Sequence, residues 1–516
     1  MTHHGGLYSE LIERGAAQNA DRIAVEFGEE RQTFAEVNAL ANQLAHAFGT
    51  AGCGRGHRVG LLVNNGLLSV PLDFACAKAG INRVPLNARL SVSEHARMLA
   101  EAQCSALIFG PDLAERAAEL KAIMPELRCF GLGATPEGGE DFLALAQAQP
   151  ETRPDVKVEA DDIVLTLYTS GTTGVLKAAQ HTQSSYAAIC RNILLNLFPV
   201  GPDDAMLHAA SLIHASGTFV LPFWLRGGRT VILPGFVPTA FLDAIERYRV
   251  SAINLVPTML QMLLEQPGLE QRDFSALKRI IYGASPMPRA VITRAMEVFG
   301  RERFWQYYGQ TEAPLCLAVL RPEDHVDELL GACGRPSLDA EIRLVDEDGQ
   351  DVPEGEPGEI LVRGPMTVAG YFNAPELNGE TFDADGWVHT RDVGVFDARG
   401  FLHLRDRTSD MIISGGYNVY PRELEDALLS HGDVLECAVV GAPDPKWVEA
   451  VTAFIVLRDG AEVTAEALIA FVSGQLASYK KPHRIIFTDA IPKTAVGKLD
   501  RKTLRAQLAS EAGEPS

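Results

Sequence analysis

The stretch IVLTLYTSGTTGVLKAA, residues 163–179, runs from an apolar strand-like segment into a loop with four hydroxyl side chains and two glycines, then reaches Lys177. An apolar run that empties into a glycine-rich loop is how an α/β unit presents its backbone to a ligand. Glycine lets successive N–H groups turn toward a bound anion, and Thr169, Ser170, Thr172 and Thr173 add hydroxyl donors. The loop is not a Walker A sequence, because GxxxxGK[ST] is missing and Lys177 is followed by alanine. Taken alone it reads equally as a phosphate loop or a plain turn, so the rest of the chain decides.

Upstream, helical and strand patterns alternate. TFAEVNALANQLAHAF (33–48) and LLSVPLDFACAKAG (67–80) carry apolar residues at helical spacing, while HRVGLLVNN (57–65) and INRVPLN (81–87) are short strand-like runs. Downstream of the loop come a helical stretch and the apolar runs TVILP (230–234), AINLVP (252–257) and RIIYG (279–283). This alternation predicts an α/β layered fold with largely parallel strands and no fixed-period repeat. The texture changes near residue 331. AEIRLVDEDGQDVPEGEPGEILVRG (340–364) has strands broken by DEDG and EGEPGE, which predicts antiparallel hairpins or a small distorted β-barrel. GFLHLRDRTSDMIISGG (400–416) then crosses a polar stretch, and a fresh pattern starts at YPRELEDALLS (420–430). The boundary falls at about 407–409, giving a large N-terminal domain over 1–407 and a small α+β C-terminal domain over 408–516.

At 516 residues, 47% hydrophobic and 22% charged, the chain has the balance of a soluble globular protein. A formal net charge of −21 argues against a nucleic-acid partner, and it means that any anion site must be made locally. Eight cysteines lie scattered singly, without the spacing of a zinc site or a disulfide framework. The N-terminal sequence shows no basic or apolar leader pattern. AMLHAASLIHASGTFVLPFWL (205–225) lacks Asp, Glu, Lys and Arg. Its two histidines, two serines, glycine and proline make it a buried segment with an internal site rather than a transmembrane span. A cytoplasmic protein is expected.

The glycine-rich loop has company. HASG (214–217), YYGQTEA (307–313), GWVHTRDVG (386–394), GFLHLRDRTSDMIISGGYNVYPRELE (400–425) and IPKTAVGKLDRKTL (491–504) follow it in order. Together these motifs closely resemble the adenylate-forming superfamily of acyl-CoA synthetases, aryl-CoA ligases, peptide-synthetase adenylation domains and luciferases, over nearly the whole chain. The resemblance implies an ATP- and Mg²⁺-dependent enzyme that joins a carboxylate to AMP with loss of pyrophosphate, then passes the acyl group to a thiol, here coenzyme A. The first step brings two anions together, which repel at 4 Å by about 1 kcal/mol in water and about 4 at an effective dielectric of 20. Preorganised positive groups are therefore required.

The resemblance assigns roles residue by residue. The loop Thr169, Ser170, Gly171, Thr172, Thr173, Gly174 and Lys177 wraps the β- and γ-phosphates. Glu312 helps to hold Mg²⁺, Thr311 faces the α-phosphate, and Tyr308 lies against the adenine beside Ala284 and Ser285. Asp392 accepts the ribose hydroxyls with its two oxygens, and Arg407 reaches the ribose. Lys498 bridges the carboxylate and the α-phosphate as a mobile point charge. His214 belongs to the catalytic set and also to the acyl pocket, with Asn192, Ala215, Ser216, Asn254, Gly283, Tyr307, Gly309, Pro314 and Leu315. A C-terminal domain that swings at the hinge, Ser409, brings Gly415 and Gly416 to the pantetheine, with Trp447, Lys481 and His483 as coenzyme A contacts.

Four positions depart from the family pattern: Leu176 stands where proline is usual, Ala178 where glycine is usual, Ser409 at a hinge that is commonly aspartate or lysine, and Arg391 where glycine is frequent. Apolar Leu315 and Tyr307 fit an aromatic acid or a medium-to-long fatty acid alike. Asn192 and Asn254 either meet a ring substituent or serve the fold. The alternatives are an acyl-AMP ligase that loads a carrier-protein phosphopantetheine, a light-emitting oxygenase, and a non-catalytic nucleotide-binding protein. A monomer and a homodimer are both compatible.

Overall fold

The computed structural model describes every residue except 1–5, 134–138, 171–175, 213–214, 286, 408–409, 415–416, 445, 495–498 and 513–516. Among the described residues the strands form three sheets, and the largest holds thirteen strands. Six of them, Ile23–Phe27, Arg229–Ile232, Ala205–His208, Ala252–Leu255, Arg279–Gly283 and Phe304–Gln310, lie parallel to one another in that order. The short apolar runs of the sequence become these central strands because both sheet faces are covered. Met206, Ala252, Ile281 and Tyr307 pack on one face with Ile189 and Ile193 of the helix Gln183–Asn196. Leu207, Ile253 and Ile280 pack on the other with Phe241, Leu242 and Ile245 of the helix Pro238–Arg247. Parallel strands so arranged deliver their carboxyl ends to one edge, where open α/β sheets place ligands.

Beyond Phe304–Gln310 the sheet turns antiparallel, through Ala313–Leu320, Ala332–Pro336, Leu402–Arg407, Val388–Phe396, Gly358–Arg363 and Glu341–Val345. The hairpin texture expected over 340–364 is the pairing of Glu341–Val345 with Gly358–Arg363. It continues the large sheet instead of standing apart from it.

The second sheet has eight strands and contains the glycine-rich loop. Its strand Ile163–Ser170 pairs antiparallel with Leu176–Thr182, matching Tyr168 with Ala178 and Thr169 with Lys177. The segments on either side of the glycine-rich stretch are thus paired strands, and the helical stretch expected after it begins only at Gln183. Thr182 caps that helix, its hydroxyl accepting the Ser185 N–H at 3.0 Å. The outer edge of the hairpin is covered by the two-residue strand Gly370–Tyr371, which pairs with Gln180 and Ala179.

The third sheet is built from Tyr417–Val419, Ile412–Ser414, Val448–Leu457, Val434–Asp444 and Arg484–Phe487. The apolar clusters around it draw only on residues from Ile412 onward, and none of the clusters before it reaches past Leu404. The described residues of the uncharged segment 205–225 form the buried strand Ala205–His208, a short 3-10 helix over Ala215–Phe219 and the helix Val220–Leu225. No helix among the described residues is long and apolar enough to cross a membrane.

Candidate active site

Two turns meet at the edge defined by the parallel strands. One is the hairpin formed by Ile163–Ser170 and Leu176–Thr182, and the other is YGQTEA, which joins Phe304–Gln310 to Ala313–Leu320 through an irregularity between Tyr308 and Gln310. This turn is tight. A Cβ on Gly309 would lie 2.6 Å from the Leu315 nitrogen, so only glycine fits. Leu315 and Cys316 sit in the left-handed region at φ +49° and +45°. The Asn192 side-chain amide donates to the Cys316 carbonyl at 3.3 Å, and the Asn192 Oδ1 accepts from Asn196 at 2.8 Å. Asn192 therefore supports the strained backbone at Cys316.

Tyr308 and Asp392, 84 residues apart, come together: the buried Tyr308 hydroxyl donates to Asp392 Oδ2 at 2.6 Å. Burial, then the carboxylate charge, pushes the Tyr308 phenol well above its ordinary range, so it remains a donor. Asp392 sits on the strand Val388–Phe396, opposite Arg407 in register. Arg391 beside it has φ +61°, a conformation free of strain only for glycine. The arginine is held there by hydrogen bonds from its backbone N–H to Glu359 and from its guanidinium to the Glu380 carbonyl. Ala284 is likewise left-handed, at φ +65°, and partly buried with Ser285.

Glu312 accepts a hydrogen bond from the Tyr371 hydroxyl. Lys177 Nζ lies 5.5 Å from the centre of the same Tyr371 ring. His181, on the exit strand of the hairpin, is hydrogen-bonded to the backbone of Thr311, and burial pushes its pKa down to about 4. The phosphate hairpin and the YGQTEA turn are thus joined twice, at Tyr371 and at His181. Tyr371 and His181 were not singled out in the sequence. The only available signals were a Gly-Tyr pair ahead of NAPELN and a histidine a few residues past the loop.

In the proposed acyl region, Tyr307 is buried and hydrogen-bonded to the Asn254 side chain, with its ring 6.4 Å from Phe219. Asn254 also donates to the Ile281 carbonyl at 3.3 Å. A Cβ on Gly283 would lie 2.5 Å from the Tyr307 carbonyl, so this glycine lets the two strands close on each other. Ser216 is buried against His208, Oγ to Nδ1 at 2.8 Å, and burial drives His208 down to about 3. His208 is a further residue that the motifs did not flag. Pro314 and Leu315 lie at the start of the returning strand Ala313–Leu320, just after Glu312 and Ala313.

In the third sheet the Trp447 ring lies 4.8 Å from that of His483, with Lys446 Nζ 4.6 Å from the indole. His483 Nδ1 accepts the Val451 N–H at 3.1 Å, which fixes its tautomer. Lys481, two residues before it, is exposed. Of the remaining expected site residues, Lys498, Gly171, Thr172, Thr173, Gly174, His214, Ser409, Gly415 and Gly416 lie outside the described residues, as do the side chains of Ser170, Ala215 and Arg407. Among the described residues no cluster of three or more His, Cys, Asp or Glu side chains could hold a metal alone.

The two turns, the Tyr308–Asp392 pair and the sheet edge define a nucleotide-dependent enzyme of α/β type. The chain belongs to the AMP-binding enzyme family, whose model matches residues 12–372, and the model of the AMP-binding enzyme C-terminal domain matches residues 423–498. It falls within the adenylate-forming acyl-CoA synthetase branch. A medium/long-chain-fatty-acid–CoA ligase, FadD8, of Mycobacterium tuberculosis H37Rv is 36% identical, covering 99% of this chain and 91% of its own. A feruloyl-CoA synthase of an Amycolatopsis species is 37% identical over 96% of this chain and 98% of its own. Among solved structures, the amide bond synthetase McbA of Marinactinospora thermotolerans matches with a TM-score of 0.89 at 34% identity, over 97% of this chain and 99% of its own.

Proposed function

We propose that this chain is an AMP-forming acid–CoA ligase in which the described site residues act as follows. The enzyme activates a carboxylic acid with ATP to acyl-AMP and pyrophosphate, then transfers the acyl group to coenzyme A. The observation that carries the site reading is that Tyr308 meets Asp392, and Tyr371 meets both Glu312 and Lys177, bringing four separate segments together near the carboxyl ends of the parallel strands.

In this reading Asp392 takes the ribose hydroxyls, and the Tyr308 ring lies against the adenine. Thr169 and Lys177, paired across the hairpin, flank the loop that takes the outer phosphates. Magnesium ordinarily uses one or two carboxylates together with substrate phosphates and water, so a single carboxylate, Glu312, suits a metal that arrives on the nucleotide. Bound there, the ion would offset phosphate charge in the adenylation step. Lys498 supplies the mobile positive charge between the two reacting anions, and Thr311 faces the α-phosphate. The domain boundary at 407/408 is supported by the apolar clusters, which do not mix residues from its two sides. The second unit presents Trp447, Lys481 and His483 to coenzyme A in the thioester step. That set supports coenzyme A over a carrier protein as acceptor.

For the acid, Tyr307, Leu315 and Phe219 form an apolar wall, and Ser216, His208 and Asn254 add polar groups nearby. An aromatic acid with a polar substituent is served best by this mixture, and an unbranched fatty acid is the second reading. Eight free cysteines and the absence of a spanning helix among the described residues support a cytoplasmic location. Acid-dependent exchange of pyrophosphate into ATP, across hydroxylated aromatic, plain aromatic and fatty acids, tests the proposal. Exchange strongest with hydroxylated aromatic acids is expected, and exchange confined to fatty acids would overturn the acid assignment.

A further inference from the structure

We propose that Tyr371 is a positioning residue for adenylation: its hydroxyl holds one oxygen of Glu312, and its ring faces Lys177, so that carboxylate and ammonium stay close without pairing. The inference rests on the reading of Glu312 as the carboxylate that meets the nucleotide's magnesium.

Tyr371 is fixed independently of Glu312. Its backbone is clamped at both polar groups by Asn378, whose Oδ1 accepts the Tyr371 N–H at 2.7 Å and whose Nδ2 donates to the Tyr371 carbonyl at 2.9 Å. Asn378 stands on the helix Pro375–Thr381. Thr381 from the same helix is hydrogen-bonded to the phenol, and Phe382 packs with ring centres 5.7 Å apart. The strand pairing to Gln180 and Ala179 ties Tyr371 to the exit of the phosphate hairpin. The Val368 N–H, three residues earlier, donates to the Glu312 carbonyl at 2.9 Å. The short segment 368–371 therefore touches both turns of the site, and the phenol is 4% exposed.

The chemical consequence lies in what the ring prevents. A direct Lys177–Glu312 ion pair would satisfy both charges on each other and remove both from phosphate and metal. Among the described residues Lys177 and Glu312 form no such pair; each instead meets a different part of one aromatic side chain. Cation–π contact holds an ammonium without neutralising it, and a phenol donor occupies one carboxylate oxygen and leaves the charge in place. Groups that hold a metal ligand in place typically cost 10- to 100-fold in metal affinity or activity when removed.

Tyr371→Phe keeps the ring and removes the hydroxyl. Binding of ATP is measured calorimetrically with Mg²⁺ and with EDTA, for wild type, Tyr371→Phe, Glu312→Gln and the double variant, together with the urea midpoint and the acid KM. We expect Mg²⁺-dependent ATP affinity to fall about tenfold in Tyr371→Phe. Metal-free ATP binding and the acid KM should hold, the urea midpoint should fall modestly because a donor to a carboxylate is lost, and the double variant should fall no further than Glu312→Gln in Mg²⁺-dependent ATP affinity. Loss in Glu312→Gln but none in Tyr371→Phe overturns the role of Tyr371 and leaves that of Glu312 standing. No loss in either overturns the Glu312 reading itself. An equal loss with and without metal makes Tyr371 structural and overturns the inference.

Discussion

Replacing Tyr308 with phenylalanine tests the nucleotide site at its best-defined contact. The substitution keeps the ring that would lie against adenine and removes one donor, 2.6 Å from a buried carboxylate. A hydrogen bond to a charged group contributes about 1.5–3 kcal/mol, and a buried acceptor that loses it retains its desolvation cost. Stability of the large N-terminal unit should therefore fall by about 2 kcal/mol. The effect on nucleotide binding is bounded by the same figure, because the hydroxyl acts on AMP only through the orientation of Asp392. At 1.4 kcal/mol per tenfold, AMP affinity should drop about tenfold and by no more than about a hundredfold. Urea unfolding reads the first quantity and AMP titration the second, each repeated in Asp392→Asn and in the double variant. The account expects the double variant to lose clearly less than the sum of the singles. Strictly additive losses, or tighter AMP binding in Tyr308→Phe, would refute the claim that this pair is a working part of the ribose site.

Further outcomes follow from the same geometry. Arg391→Gly should be more stable than Arg391→Ala by about 1 kcal/mol, because both lose the side-chain bond to Glu380 but only alanine keeps the left-handed strain at φ +61°; paired urea midpoints check it. The folded-state pKa values of His181 and His208 are depressed to about 4 and about 3, so between those values and the ordinary histidine range the unfolded chain binds more protons. Stability should therefore be complete above about pH 6.5 and fall as pH drops through 6 toward 4, with a shallower fall in His208→Asn, read from urea midpoints across that range. Lys498→Ala should reduce adenylation on the order of 10²–10³-fold while sparing thioester formation from supplied acyl-AMP; equal loss of both half-reactions without unfolding would remove Lys498 from the role assigned to it.

The parallel core was legible because its strands are covered on both faces and so appear as unbroken apolar runs such as RIIYG, each followed by turn formers. The second arm of the phosphate hairpin was not. Leu176–Thr182 reads LKAAQHT, without β-branched alternation, and it becomes a strand because Ile163–Ser170 and Gly370–Tyr371 pair with it on either side. Motif order brought Tyr308 and Asp392 to notice, but only the fold shows one donating to the other. Asn192 carries no sequence mark of its task, since an asparagine in a helix serves a ligand or a backbone carbonyl equally well. Here the carbonyl of a strained residue, Cys316, takes it. Tyr371 escaped notice for a related reason: its importance depends on contacts with residues 59 and 194 positions away, which no local pattern encodes.

The measurement that bears most directly on the central claim is the stoichiometry of AMP and acyl-CoA formed from ATP·Mg²⁺, one carboxylic acid and coenzyme A under multiple turnover. The account predicts equal amounts of AMP, pyrophosphate and thioester, with turnover abolished when coenzyme A is left out. Pyrophosphate released once per enzyme, with no acyl-CoA when coenzyme A is present, would contradict it.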